Sequence, residues 1–126
     1  MTKEPVFSDK LPAPVGPYVP AVRSKGHTFV SGQIGMDPAT GKLVAGGVEK
    51  QAEQAMINFK AILEATGKGF TDVIRCCIYL TDMGDFPAVN VIYGKYMSAP
   101  FPARTCIAVA ALPLGASFEI DAVMEA

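Results

Sequence analysis

The stretch ARTCIAVAALPLGASFEIDAVM, residues 103–124, holds two runs of strand character separated by a turn, and the way those runs pair decides the fold. Ala103 to Leu112 is small, apolar and β-branched. "PLGA" (113–116) supplies turn residues, and "SFEIDAVM" (117–124) reads as a last strand. Side chains alternate between the two faces of a strand. Arg104, Cys106, Ala108 and Ala110 therefore share one face, and Ser117, Glu119 and Asp121 share one face of the last strand. A simple hairpin through "PLGA" would set Leu112 opposite Ser117 and Glu119 opposite Ala110. That places Glu119 roughly 20 Å from Arg104, too far for one small substrate. Either the two strands are not hairpin partners, or Arg104 and Glu119 meet across a boundary between subunits.

Working outward, "TDVIRCCIYLT" (71–81) is a β-branched run long enough for a central strand. Upstream of it, Val48, Ala52, Ala55, Met56, Phe59, Ile62 and Leu63 recur at helical spacing, and Gly67 stands where a left-handed residue would end that helix. "GDFPAVNVIYGKYM" (84–97) predicts a second helix, with Asp85 as N-cap, Pro87 in its first turn and an apolar stripe of Phe86, Val89, Tyr93, Tyr96 and Met97. Residues 1–17 carry four prolines and form an extended arm leading into "YVPAV" (18–22). "HTFVSGQIG" (27–35) reads as a strand, "DPATGK" (37–42) as a turn and "LVAGG" as a loose connection. The order β-β-α-β-α-β-β predicts an α+β domain spanning residues 1–126, one mixed sheet with two helices on one face. The other sheet face is too rich in Val, Ile, Ala and Cys to be wetted throughout. A homo-oligomer that covers it is therefore expected.

Composition limits the chemistry. Of 126 residues, 50% are hydrophobic and 18% charged, with a net charge of −1 and no basic stripe, which disfavours a nucleic-acid partner. The N-terminal residues carry no apolar signal-peptide core, and no apolar run approaches a membrane span. Three cysteines, two of them adjacent, suit a reducing compartment, so a cytoplasmic protein is expected. A single histidine, His27, excludes His-based metal clusters. Cys76 and Cys77 point to opposite faces of their strand and cannot clamp one metal. "GMDPATGKL" (35–43) has one residue too many for a phosphate-binding loop, and Leu43 stands where Ser or Thr is needed.

The candidates that remain are few. Arg104 offers a planar fork of donors beside small neighbours, suited to gripping a carboxylate. It would otherwise reach to solvent or pair with a structural acid. Glu119 could serve as a general acid or base, or simply belong to a solvated strand face. Tyr18, at the end of the proline-rich arm, could lid a pocket or pack on the surface. The glycines of "SGQIG" could let a ligand approach the backbone. Cys106 is either a nucleophile beside Arg104 or a buried hydrophobe.

Taken together, "APFPARTCIAVAALPLGASFEIDAV" (99–123), "APVGPYV" (13–19), "FVSGQIG" (29–35) and "FPAVNVIYGKYM" (86–97) resemble, in order and over nearly the whole chain, the Rid (RidA/YjgF) family of reactive-intermediate deaminases. The resemblance implies a chorismate-mutase-like fold assembled as a homotrimer with pockets between subunits. It also implies hydrolysis of 2-imino and 2-enamino acids, such as 2-iminobutanoate and 2-iminopropanoate, to 2-oxo acids and ammonia without a cofactor or metal. By position, Arg104 matches the residue that grips the substrate carboxylate, Cys106 one whose backbone contacts the ligand, and Glu119 the acid that orders the attacking water. Tyr18, Gly32 and Asn90 match pocket-lining positions. Gly35 departs from the pattern, in which proline is common. A non-catalytic small-carboxylate binder, a chaperone-like trimer and an endoribonuclease are the alternative readings.

Overall fold

The computed structural model describes residues 3–125. Its main sheet has six strands: β1 (Glu4–Val6), β2 (Ala21–Ser24), β3 (His27–Gln33), β6 (Val73–Leu80), β7 (Ala103–Ala108) and β8 (Phe118–Glu125). Between β3 and β6 the chain forms a small hairpin of β4 (Met36–Asp37) and β5 (Lys42–Leu43), then helix α1 (Gly47–Thr66). Helix α2 (Phe86–Tyr96) joins β6 to β7. The strand order in the sheet is β1-β2-β3-β8-β6-β7.

The pairing of the last two strands is the informative feature. β7 lies parallel to β6, with Cys76 opposite Arg104 and Ile78 opposite Cys106. A parallel neighbour needs a crossover, and α2 supplies it. β8 then inserts antiparallel between β3 and β6, with Tyr79 opposite Glu119 and Ile78 opposite Ile120. The segment 113–116 is thus no hairpin turn. It is a short 3-10 turn in which Leu114 (φ 57) and Gly115 (φ 73) take left-handed backbone and lead the chain past β6.

The period-two and period-3.6 patterns meet in one core. Phe118, Ile120, Ala122 and Met124 of β8, with Cys76, Ile78 and Leu80 of β6, are buried beneath Ala52, Ala55, Met56, Phe59, Ile62 and Leu63 of α1 and Val89, Ile92 and Tyr93 of α2. α1 ends where expected: Gly67 is left-handed (φ 74), and its N–H bonds to Glu64 O. At α2, Asp85 stands at the N-cap but its side chain caps nothing. Asp82 instead accepts from Gly84 N (2.8 Å) in the preceding 3-10 turn. Two elements differ from expectation. The proline-rich arm contains β1, and the residues taken as turn and loose connection hold the β4–β5 hairpin. Pro5 can sit in β1 because an edge strand leaves one row of N–H groups unused.

The face of the sheet away from the helices is uncovered. It presents Phe29 and Ile107, each nearly half exposed, beside Arg75, Cys77, Tyr79, Thr105, Glu119, Asp121 and Val123. No helix among the described residues is long and apolar enough to cross a membrane.

Candidate functional site

Arg104 lies on β7, the edge strand, and shares a face with its cross-strand partner Cys76, which is fully buried. It therefore points to the helix side. There its guanidinium Nη1 donates to Asn90 Oδ1 (2.8 Å), and its Cζ sits 4.9 Å from the Tyr93 ring centre and 5.5 Å from that of Phe86. No carboxylate pairs with it among the described residues. A hollow of about 390 Å³ opens beside it, walled by Asn90, Tyr93, Gly94, Phe101 and Pro102. A half-buried cation with aromatic and amide neighbours but no counter-ion has donors to offer an anion.

The backbone of β7 adds to this. Val109 N donates to Leu80 O (2.8 Å), so the odd-numbered residues of β7 direct their backbone groups at β6. Arg104 and Cys106, of even number, direct theirs to the free edge. The Cys106 N–H is thus an unused donor two residues from the guanidinium. Its thiol is pushed up by burial, partly offset by Arg104, and stays protonated at neutral pH. That disfavours a thiolate nucleophile and leaves the main chain as the useful part of this residue.

Glu119 occupies the opposite face. Its partner Tyr79 and its neighbour Asp121 lie on the open side, and Tyr79 Oη donates to Asp121 Oδ2 (2.9 Å). The register of β3 against β8 shifts between Val30 and Gln33, so Ser31 and Gly32 bulge out of the ladder near Glu119. Gly32 is needed there: a Cβ would fall within 2.8 Å of the Glu119 carboxyl carbon. Ser31 Oγ donates to Val19 O (2.7 Å) and Ser31 N to Pro20 O (2.9 Å), which pins the arm so that Tyr18 reaches the same place. Tyr18, Ser31, Gly32, Ile34, Leu114 and Glu119 line a cavity of about 350 Å³. Burial, and secondarily the charge of Asp121, raises the Glu119 carboxyl above its ordinary range. Such a group holds its proton to higher pH than an ordinary glutamate, which suits a general acid or base.

The expected site residues therefore fall into two sets. Tyr18, Gly32 and Glu119 come together on one face; Arg104, Asn90 and Cys106 come together on the other. Two strand spacings and a three-residue offset separate the Arg104 and Glu119 Cα atoms by roughly 14 Å, and their side chains diverge from there. Among the described residues, the Glu119 cavity and the Arg104 hollow share no lining residue.

Two supporting residues escaped the sequence reading. Asn58, buried on α1, donates to Met36 O (2.9 Å) and accepts from Gln54 Nε2 (3.0 Å), fixing the turn after β3 that walls the cavity. Gln51 Oε1 accepts from Ser117 N (2.8 Å) and so positions the start of β8. The only available signal was a polar residue on a stripe that should be apolar. Gly35 has a packing reason: a Cβ there would lie 2.5 Å from the Gln51 backbone.

Residues 8–126 match the family described as Endoribonuclease L-PSP. The chain belongs to that family, the Rid (RidA/YjgF) family. It is 48% identical to Protein DfrA of Myxococcus xanthus, over 98% of this chain and 95% of that one. It is 47% identical to the human 2-iminobutanoate/2-iminopropanoate deaminase, over 94% of this chain and 86% of that protein. The crystal structure of RidA from the Antarctic bacterium Psychrobacter sp. PAMC 21119 superposes with a TM-score of 0.93 at 41% identity, covering 98% of this chain and 99% of that one.

Proposed function

We propose that the protein hydrolyses 2-imino and 2-enamino acids, 2-iminobutanoate and 2-iminopropanoate among them, to 2-oxo acids and ammonia, at sites completed between copies of a homotrimer. One observation carries this reading. Each chain holds a cation without a counter-ion, suited to anchor a carboxylate, on one sheet face and a proton-exchanging acid in a cavity on the other, and neither can serve one small molecule alone. The free edge of β7 on one copy, set against the Glu119 cavity of the next, brings them together. The names borne by relatives at 44–47% identity support a deaminase.

The steps follow from the residues. The Arg104 guanidinium and the Cys106 N–H take the substrate carboxylate. A protonated imine is already electrophilic at C2, so what remains is to place a water about 3 Å from that carbon and to move protons. Glu119 of the neighbouring copy accepts a proton from this water as its oxygen bonds to C2 and the C=N electron pair moves to nitrogen. Glu119 then returns the proton to nitrogen. The new hydroxyl gives its proton to the freed Glu119 carboxylate as the C–N bond breaks and ammonia leaves with the bonding pair; Glu119 passes that proton to ammonia, giving the 2-oxo acid and ammonium. Tyr18 covers the cavity mouth.

The test couples the protein to a threonine-cleaving pyridoxal-phosphate enzyme that releases 2-iminobutanoate. Release of 2-oxobutanoate should be faster with the protein than without it, and Arg104→Ala should lose most of the gain. No acceleration by the wild-type protein, with 2-oxobutanoate still bound, would leave the non-catalytic binder standing instead. The ribonuclease reading draws on the family description Endoribonuclease L-PSP, but a net charge of −1 with no basic stripe offers little to a polyanion.

A further inference from the structure

We infer that Phe86 and Tyr93 are positioning residues that hold the Arg104 guanidinium ready for a planar carboxylate, so that one face of α2 sets the anion selectivity of the site. The inference rests on the proposed role of Arg104 as the carboxylate anchor and goes beyond it.

Phe86, Asn90 and Tyr93 stand at i, i+4 and i+7 of α2 and so share one helix face. All three meet the same guanidinium: two ring centres at 5.5 and 4.9 Å, and one amide oxygen at 2.8 Å. Tyr93 is only 7% exposed, and its ring is fixed by the core. Burial pushes its phenol well above its ordinary range, so it remains a neutral ring and cannot act as a counter-ion.

The chemistry of the three contacts is the point. An aspartate or glutamate here would hold the arginine equally still but would neutralise it and occupy its paired donors. Aromatic faces attract the cation through their quadrupoles and leave its N–H edge unoccupied. Asn90 uses a single donor of five. The guanidinium is therefore held in place while most of its hydrogen-bonding capacity and its full charge stay available. A lysine ammonium has neither the flat face to lie on the rings nor the fork to match a carboxylate.

The test replaces Phe86 by phenylalanines bearing one, three and five ring fluorines, which keep the shape and progressively cancel the quadrupole. Binding of 2-oxobutanoate is measured by calorimetry on the assembled protein, with Arg104→Ala, Phe86→Leu and Phe86→Tyr alongside. The logarithm of Kd should rise steadily with fluorine number, reaching about three- to tenfold weaker binding at five fluorines. Phe86→Tyr should keep the wild-type Kd. A structural role would give no such progression, and the fluorinated series remains informative if Phe86→Leu does not fold. A flat series, with Arg104→Ala abolishing binding, overturns the inference and spares the proposed function. Unchanged binding in Arg104→Ala overturns both.

Discussion

If Arg104 and Glu119 of each working site come from different copies, two inactive variants should rescue one another. Arg104→Ala removes a charge-assisted anchor worth roughly 1.5–3 kcal/mol, or about ten- to more than a hundredfold in rate. Glu119→Gln removes the proton carrier. Each homotrimer should be nearly dead. In a ring of three with head-to-tail contacts, every site draws its arginine from one copy and its acid from the next. A site in a mixed trimer works only when the first copy is the Glu119→Gln chain and the second is the Arg104→Ala chain. Any ring holding both variants, two copies of one and one of the other, has one such junction among its three, about a third of its sites. The variants would be co-expressed with different affinity tags, the mixed trimers isolated through both, and 2-oxobutanoate release measured per chain. The expected value is about a third of wild type, far above the sum of the two parents. Verified mixed trimers no more active than their parents would sink the argument, because they would place both groups in one chain. The opposed faces of the sheet carry the prediction: Arg104 is paired in register with buried Cys76, whereas Glu119 lies opposite Tyr79 on the open side.

Glu119→Gln should also make the fold more stable at neutral pH. The folded carboxyl sits above the ordinary value of about 4.3, so its favourable protonation is fully present below that value and is lost as pH rises through the folded one. Thermal unfolding of variant and wild type should thus differ at pH 7 and converge below about pH 4. In the wild type, the acidic limb of the rate profile should begin at higher pH than for an ordinary glutamate, and a limb near pH 4 would contradict the burial of this group. Gly32→Ala should abolish most activity with little change in melting temperature, since its Cβ displaces only the end of the Glu119 side chain. Gly35→Ala should do the reverse, destabilising the fold by about 1–3 kcal/mol in denaturant titrations, because the obstruction is Gln51 backbone that cannot step aside.

Much of this architecture could be read from the chain because its patterns are local. The stripe from Ala52 to Leu63 is buried as its spacing predicts, Gly67 ends α1 in the left-handed conformation, and Cys76 and Cys77 part to opposite faces. What could not be read was non-local. Nothing within 103–124 says that β6 intervenes between β7 and β8, since that depends on β8 finding two antiparallel partners remote in sequence. β1 was hidden by Pro5, which argues against a strand unless the strand is known to be at an edge. Asn58 resembles any helix residue until the turn carbonyl it serves is located.

The same alternation explains why the site divides as it does. On β8, Phe118, Ile120, Ala122 and Met124 must all face the helices to complete the core. Glu119 and Asp121 are then committed to the open side, and a one-residue slip would bury both carboxylates and expose the apolar set. On β7 the commitment is reversed: the even-numbered residues face α2, which puts Arg104 beneath Phe86, Asn90 and Tyr93 and sends Cys106 N–H to the free edge. No rotamer change can bring the two groups to one side of a pleated sheet. If one small carboxylate is to meet both, a second sheet must present its open face to this edge, so the packing that satisfies the core is also what makes the proposed chemistry depend on assembly.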